Sequence, residues 1–125
     1  MNDEPNKGAK SNAEVRRWYL DKVAAIPELN ALWVEQGLSL RERAENAWRF
    51  RHEARLQARS MMADPAEVKL LRERDMVKYG NPDGPTFEYL VERLKEAGLD
   101  EDAIYEAIIY NSYRTDAELN KRLGL

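Results

Sequence analysis

Ala47 to Arg59 reads A-W-R-F-R-H-E-A-R-L-Q-A-R and lies at the centre of the predicted fold. With a helical step of ~100° per residue, the small and apolar residues in and around this stretch fall on one arc, and mostly acidic and polar residues fall on the opposite side. The stretch therefore predicts one long amphipathic helix, and its alanine-rich face predicts close packing against another helix. The residues of the apolar arc are Leu40, Ala44, Ala47, Ala54, Ala58 and Met62.

Arg51 falls in the middle of this apolar arc, where an apolar side chain is expected. Arg55 and Trp48 lie on the shoulder of the arc, and His52 and Arg59 continue outward on the same side. A guanidinium group cannot be neutralised by burial. An inward Arg51 must therefore meet a carboxylate, several carbonyl oxygens or a bound anion.

The fourth predicted helix supplies an acidic partner for this arginine. The same helical stepping places Asp75 at the centre of an arc formed by Val68, Leu71 and Tyr79. Because buried charges in proteins are usually paired, one interpretation is an Arg51–Asp75 ion pair that ties the third and fourth helices together.

The second interpretation is an open basic pocket that binds a phosphate or a carboxylate. In this pocket Arg51, Arg55, Arg59 and His52 contact the anion, and Asp75 orients one of the arginines. Arginines at positions i, i+4 and i+8 are also common on solvated helical faces, so Arg59 is equally expected to be simply solvated. The residues allow both interpretations.

Helix start and stop signals divide the rest of the chain. Short polar side chains precede acidic residues by three positions, and glycines follow the apolar runs. These start and stop signals predict an all-α fold. It is a compact single-domain bundle of about six or seven helices over residues 11–125, and it follows a flexible polar leader over residues 1–10. The predicted helices run from Ser11 to about Ala25, Pro27 to Gly37, Ser39 to about Met62, Asp64 to Gly80, Thr86 to Gly98, Asp100 to about Tyr110, and Thr115 to Gly124.

Composition excludes several classes of site. The chain has 125 residues, a net charge of −3, no cysteine and one histidine. Disulfides, thiolate metal sites and multi-histidine zinc sites are therefore excluded, and we expect no metal and no cofactor. No apolar run approaches the ~18 residues of a membrane span. We expect a soluble protein that is made in the cytoplasm without a cleaved signal peptide.

Two junctions between helices carry further polar groups. Asn81–Pro85, N-P-D-G-P, is either a rigid structural turn or a functional loop over a pocket. After the sixth predicted helix, Asn111, Ser112 and Arg114 concentrate hydrogen-bonding groups that either cap the helix and form a turn or contact a substrate.

Three segments resemble the C-terminal helical domains of bacterial polymorphic-toxin and secretion-effector proteins. They are R-H-E-A-R-L-Q-A-R-S-M-M from residue 51, L-L-R-E-R-D-M-V-K-Y-G-N-P-D-G-P-T-F from residue 70, and N-S-Y-R-T-D-A-E-L-N-K-R-L-G-L from residue 111. The resemblance covers residues 15–125 and transfers no catalytic residue. It implies an attack on nucleic acids or other targets inside a competing cell, a paired immunity protein, and delivery by a specialised secretion system.

Two functions follow as hypotheses. The first is a toxin-type effector that acts on a phosphate-bearing substrate, such as a metal-independent nuclease. In it His52 transfers the proton, Arg51 and Arg55 stabilise phosphoryl charge, Asp75 orients the site, and a group comprising Arg59, Asn111, Ser112 and Arg114 binds the substrate. The second is a non-enzymatic helical interaction domain, such as an immunity protein, adaptor or regulator, whose partner is another protein.

Overall fold

The computed structural model describes residues 10–111 and residue 121, and most of these residues lie in α-helices. The predicted all-α class is confirmed for this part of the chain. None of its helices combines the length and the apolar character needed to cross a lipid bilayer. The helices are α1 (Asn12–Val23), α2 (Ile26–Glu35), α3 (Leu40–Ser60), α4 (Pro65–Tyr79), α5 (Phe87–Glu96) and α6 (Glu101–Tyr110).

Every named helix except α2 begins at a capping side chain that the sequence predicted. Ser11 and Glu14 exchange hydrogen bonds in a capping box, because Ser11 N donates to Glu14 Oε1 at 2.9 Å and Glu14 N donates to Ser11 Oγ at 3.2 Å. Asp64 accepts a hydrogen bond from Ala66 N at 2.9 Å, and Pro65 occupies the first turn of α4. Side-chain caps therefore fix where these helices start, whereas α2 begins without one.

The boundary between α1 and α2 differs from the prediction. Ala24 and Ala25 lie between the two helices, and both keep right-handed helical dihedral angles. The six helices named above become five when α1 and α2 are counted as one interrupted helix, so the described residues then hold fewer helices than the six or seven predicted for the chain. The predicted seventh helix, from Thr115 to Gly124, lies outside the described residues apart from Lys121.

The third helix also ends earlier than predicted. It stops at Ser60, so Met62 is not part of its apolar arc. Met62 instead forms an isolated β-bridge with Lys10, whose amide donates to the Met61 carbonyl at 3.0 Å. Lys10 belongs to the predicted flexible leader, and the other nine leader residues lie outside the described residues.

The described chain divides into two compact units. The first unit comprises residues 10–24 and 51–84, and the second comprises residues 25–50 and 85–111 with residue 121. The division passes through α3 between Phe50 and Arg51. That the chain forms a single domain stays a prediction.

The second unit has a conventional apolar core. The rings of Phe87 and Tyr105 stack with their centroids 6.4 Å apart, and Trp48 meets Phe87 edge-on at 6.5 Å. The Trp48 indole Nε1 donates to the Pro85 carbonyl at 2.9 Å. Leu90, Leu94, Ile104, Ile108 and Ile109 are also buried in this unit.

The first unit buries much less apolar surface. Among its described residues, the buried apolar side chains are those of Val15, Ala54 and Ala58, two of which are alanines. The same unit buries the charged residues Arg51 and Asp75. Polar interactions therefore make up an unusually large part of what holds this unit together.

Candidate functional site

The candidate site lies in the first unit, where α3 and α4 bring the predicted charged residues together. Arg51 is 9% exposed and Asp75 is 2% exposed. The prediction that both side chains face inward is confirmed. It followed from helical periodicity, which fixes the direction in which each side chain leaves its helix.

Asp75 pairs with arginines other than the predicted one. Its Oδ2 contacts Arg59 Nη2, and its Oδ1 accepts from Arg74 Nη2 at 3.1 Å and from Arg74 Nε at 3.3 Å. The predicted Arg51–Asp75 ion pair is therefore wrong. Helical stepping gives the direction of each side chain, but it does not give the crossing angle at which α3 and α4 pack, and that angle selects the partner.

Arg59 is the second correction. We expected a solvated side chain, and the Arg59 side chain is only 9% exposed. Besides Asp75, it contacts the carbonyl oxygen of Pro82, to which Nη1 donates at 2.9 Å. The long aliphatic stem of arginine lets a residue on the shoulder of a helix return its guanidinium to the interior. Helical periodicity gives only the direction in which the side chain leaves the helix, so it did not predict the position of the Arg59 guanidinium.

Arg55 joins α3 to the loop that follows α4. Its Nη1 donates to the Asp83 carbonyl at 2.8 Å and lies 3.2 Å from His52 Nδ1. Gly84 packs directly against this guanidinium, because a Cβ at Gly84 would lie 2.6 Å from Arg55 Nη1. Gly84 also has a φ of +101°. This position requires glycine both for its backbone angle and for the space that it leaves.

The Asn81–Gly84 loop is a hydrogen-bonded turn. Asp83 N donates to Asn81 Oδ1 at 2.8 Å, and Gly84 N donates to the Asn81 carbonyl at 3.2 Å. The Asp83 carboxylate also pairs with Arg72 Nη1 at 2.5 Å. Of the two roles considered for this segment, the structure thus shows an ordered turn that three arginines from α3 and α4 hold in place.

His52 is half-buried beside Arg55. Burial and the nearby Arg55 cation lower the pKa of His52 below its ordinary value, while Asp83 and Glu53 act in the opposite direction. A neutral imidazole is therefore favoured at neutral pH. In the contact with Arg55, the neutral Nδ1 acts as the acceptor when the proton is on Nε2.

The geometry fits the proposed anion pocket only in part. Arg55 and Arg59 donate hydrogen bonds to carbonyl oxygens of the Asn81–Gly84 loop, and Arg59 also contacts Asp75. These interactions give the arginines a structural role, and their role in binding a substrate stays a prediction. Within residues 10–111 and 121, no three histidine or acidic side chains lie close enough together to hold a metal ion.

Of the three remaining predicted site residues, the structure describes one, Asn111. Asn111 lies in the second unit, where it ends α6 with a left-handed φ of 59° and its amide donates to the Ala107 carbonyl. This is the capping role that the sequence offered as one alternative. The Asn111 Oδ1 atom is buried without a hydrogen-bond partner. Ser112 and Arg114 lie outside the described residues.

Sequence reasoning missed an apolar surface on the outer side of α4. Leu70 is 64% exposed, Met76 is 54% exposed and Val77 is 89% exposed. An open groove, which we call the α4 groove, runs beside them. Leu70 and Val77 are seven residues apart, which places both on the side of α4 that faces away from Asp75. This spacing could have predicted exposed apolar side chains on that side. The groove is lined by Pro65, Val68, Lys69, Arg72, Glu73, Met76 and Pro82.

No protein-family model, curated protein sequence or solved structure matches the chain. The resemblance to secretion-effector domains therefore stays a prediction.

Replacing Asp75 with asparagine should destabilise the protein by about 3 to 5 kcal/mol, because the buried Arg59 guanidinium loses its compensating charge. Glu73→Gln is the matched control on the same helix, and its exposed side chain should change the free energy of unfolding by less than about 0.5 kcal/mol. Urea denaturation measures both values. Equal losses in the two variants would show that the Asp75 charge is not structurally important.

Gly84→Ala should lower the free energy of unfolding more than Gly80→Ala. Both glycines have positive φ, so both substitutions incur the cost of about 1 to 2 kcal/mol for a left-handed alanine. Only the new Cβ at residue 84 displaces Arg55, since nothing lies within 4 Å of the Cβ position at Gly80. Loss of the charged hydrogen bond to Asp83 should add about 1.5 to 3 kcal/mol. Equal destabilisation in urea would contradict this packing role.

Proposed function

We propose that this chain is a non-enzymatic helical interaction domain, the class that includes immunity proteins, adaptors and regulators. The observation that carries the proposal is the outer surface of α4, where Leu70, Met76 and Val77 are each more than half exposed. Single exposed apolar residues are normal, but three of them on one helix, with Met76 lining the α4 groove, favour a protein-binding surface. The structural use of Arg55 and Arg59 also favours binding over catalysis.

The shape and charge of the α4 groove favour one kind of partner, an amphipathic helix of another protein. From Pro65 to Met76 the groove follows α4 for roughly 16 Å, which accommodates about three turns of a second helix. Val68 and Met76 offer apolar contacts inside it. Lys69 and Glu73 lie along it and have no ionic partner among the described residues. The partner helix therefore carries an acid opposite Lys69 and a base opposite Glu73.

A displayed library of amphipathic helical peptides tests this proposal on the full chain. Selected peptides should bind the wild-type chain, and Met76→Glu should weaken binding by at least about tenfold because it places a charge among apolar contacts. Leu32→Glu on α2 is the matched control, since Leu32 is 52% exposed and Met76 is 54% exposed.

Three results would contradict the proposal. They are a library that yields no binder, peptides that bind the Met76→Glu variant as well as the wild type, and self-association of the chain through α4 in sedimentation experiments. The last result would assign the surface to a second copy of this chain.

A second candidate function is the toxin-type effector that acts on a phosphate-bearing substrate. The observation that favours it is the half-buried His52, whose lowered pKa keeps a neutral imidazole beside the Arg55 guanidinium at neutral pH. This combination suits proton transfer next to a negatively charged phosphoryl group. Arg51 would contribute charge stabilisation, and Asp75 would orient the site through Arg59.

Expression of the intact chain in a susceptible bacterial cell separates the two functions. The effector function predicts growth arrest that is lost in His52→Gln and in Arg51→Gln when circular dichroism shows that both variants remain folded. The interaction function predicts harmless expression. Growth arrest that persists undiminished in both variants would remove these residues from any catalytic role.

A further inference from the structure

The wall of the α4 groove is connected to His52 through one guanidinium. Pro82, which lines the groove, belongs to the Asn81–Gly84 loop. Its neighbour Asp83 is held by Arg55 Nη1, which donates to the Asp83 carbonyl at 2.8 Å. The same Nη1 atom lies 3.2 Å from His52 Nδ1. One donor group therefore contacts both the histidine and the loop.

The protonation state of His52 decides whether this arrangement is favourable. A neutral Nδ1 accepts a hydrogen bond from Arg55, whereas a protonated imidazole presents an N–H donor and a positive charge to the guanidinium. Among the described residues, the charged groups that act on His52 include the cations Arg55 and Arg59 and the acids Asp83 and Glu53. Burial and Arg55 oppose its protonation most strongly.

We propose that protonation of His52 releases Arg55 from the Asp83 carbonyl and loosens the Asn81–Gly84 loop, so that the α4 groove is a pH-dependent binding surface. Release of Arg55 leaves the loop with its own turn hydrogen bonds at Asn81, the Arg59 contact to Pro82 and the partly exposed ion pair between Arg72 and Asp83. A largely exposed ion pair contributes little to stability in water. Arg55 is therefore one of two arginines that anchor the loop to α3, and its release leaves Arg59 as the other anchor.

The direction of the pH effect follows from linkage. Burial and the adjacent Arg55 cation keep the pKa of His52 below its ordinary value while Arg55 holds the loop, so the state in which Arg55 has moved away binds the proton more tightly. Above the ordinary histidine pKa of about 6.5, the state in which Arg55 holds the loop is favoured over the released state by the full free-energy difference between them. It loses this advantage as the pH falls through that value toward the lowered pKa of the held state. The α4 groove should therefore bind its partner at neutral pH and lose it in mild acid.

Nuclear magnetic resonance of the full chain tests the release step without any partner. The amides of Asp83 and Gly84 should shift between about pH 7.5 and about pH 5 with the same midpoint as the His52 ring, below about 6.5. Their hydrogen exchange, corrected for the intrinsic effect of pH, should accelerate at least about tenfold. His52 is the only histidine in the chain, so the ring assignment is unambiguous.

Two variants make the result decisive. His52→Gln keeps a polar side chain that does not titrate, and it should abolish the pH dependence at Asp83 and Gly84. Arg55→Met keeps the aliphatic stem, and it should give fast exchange at both ends of the pH range. Unchanged pH dependence in His52→Gln would overturn the proposal, as would loop amides that stay protected while the His52 ring titrates.

The binding part of the inference rests on the proposed function, and the release part does not. If the loop titrates with His52 but no helical peptide binds at any pH, the proposed function fails and the release step stands. If a peptide binds with an affinity that changes less than about twofold between neutral and mildly acidic pH, the proposed function stands and the pH-dependent groove fails.

Discussion

The buried carboxylate of Asp75 is the constraint on which the first unit depends. Its contacts with Arg59 and Arg74 bring three cationic N–H groups to one acid inside a unit whose described buried apolar residues are few and small. A carboxylate taken out of water is strongly unfavourable unless it is paired and hydrogen-bonded. The same Arg59 also donates to the Pro82 carbonyl, so the charge pair and the position of the Asn81–Gly84 loop are coupled.

This coupling changes how the arginine-rich face of α3 is interpreted. A row of arginines with one histidine has the residue types of a phosphate site, and the sequence presents those types on one side of a helix. In the structure, Arg55 and Arg59 donate hydrogen bonds to carbonyl oxygens of the loop. The outer side of α4 exposes the apolar side chains of Leu70, Met76 and Val77 among charged ones. These observations support our proposals that the unit binds another protein and that His52 makes this binding responsive to pH.

The sequence predicted those features that depend on local periodicity and capping. The inward direction of Arg51 and Asp75 follows from the helical repeat, and the start of α1 at Ser11 follows from side-chain hydrogen bonds within one turn. The partner of Asp75 could not be predicted in the same way, because it depends on how two helices cross and on how a flexible arginine side chain folds back. The bridge between Met62 and Lys10, just after the end of α3, also could not be predicted from local periodicity, because the two residues are far apart in sequence.

The most direct test of the account is a double-mutant cycle in urea denaturation between Arg59→Met and Asp75→Asn. It should be set beside a second cycle between Arg51→Met and Asp75→Asn. Residues in direct contact show coupling free energies of about 0.5 to 3 kcal/mol, and the account predicts a value in the upper half of that range for Arg59 and a clearly smaller one for Arg51. A coupling below about 0.5 kcal/mol for Arg59, or a larger coupling for Arg51, would contradict the account.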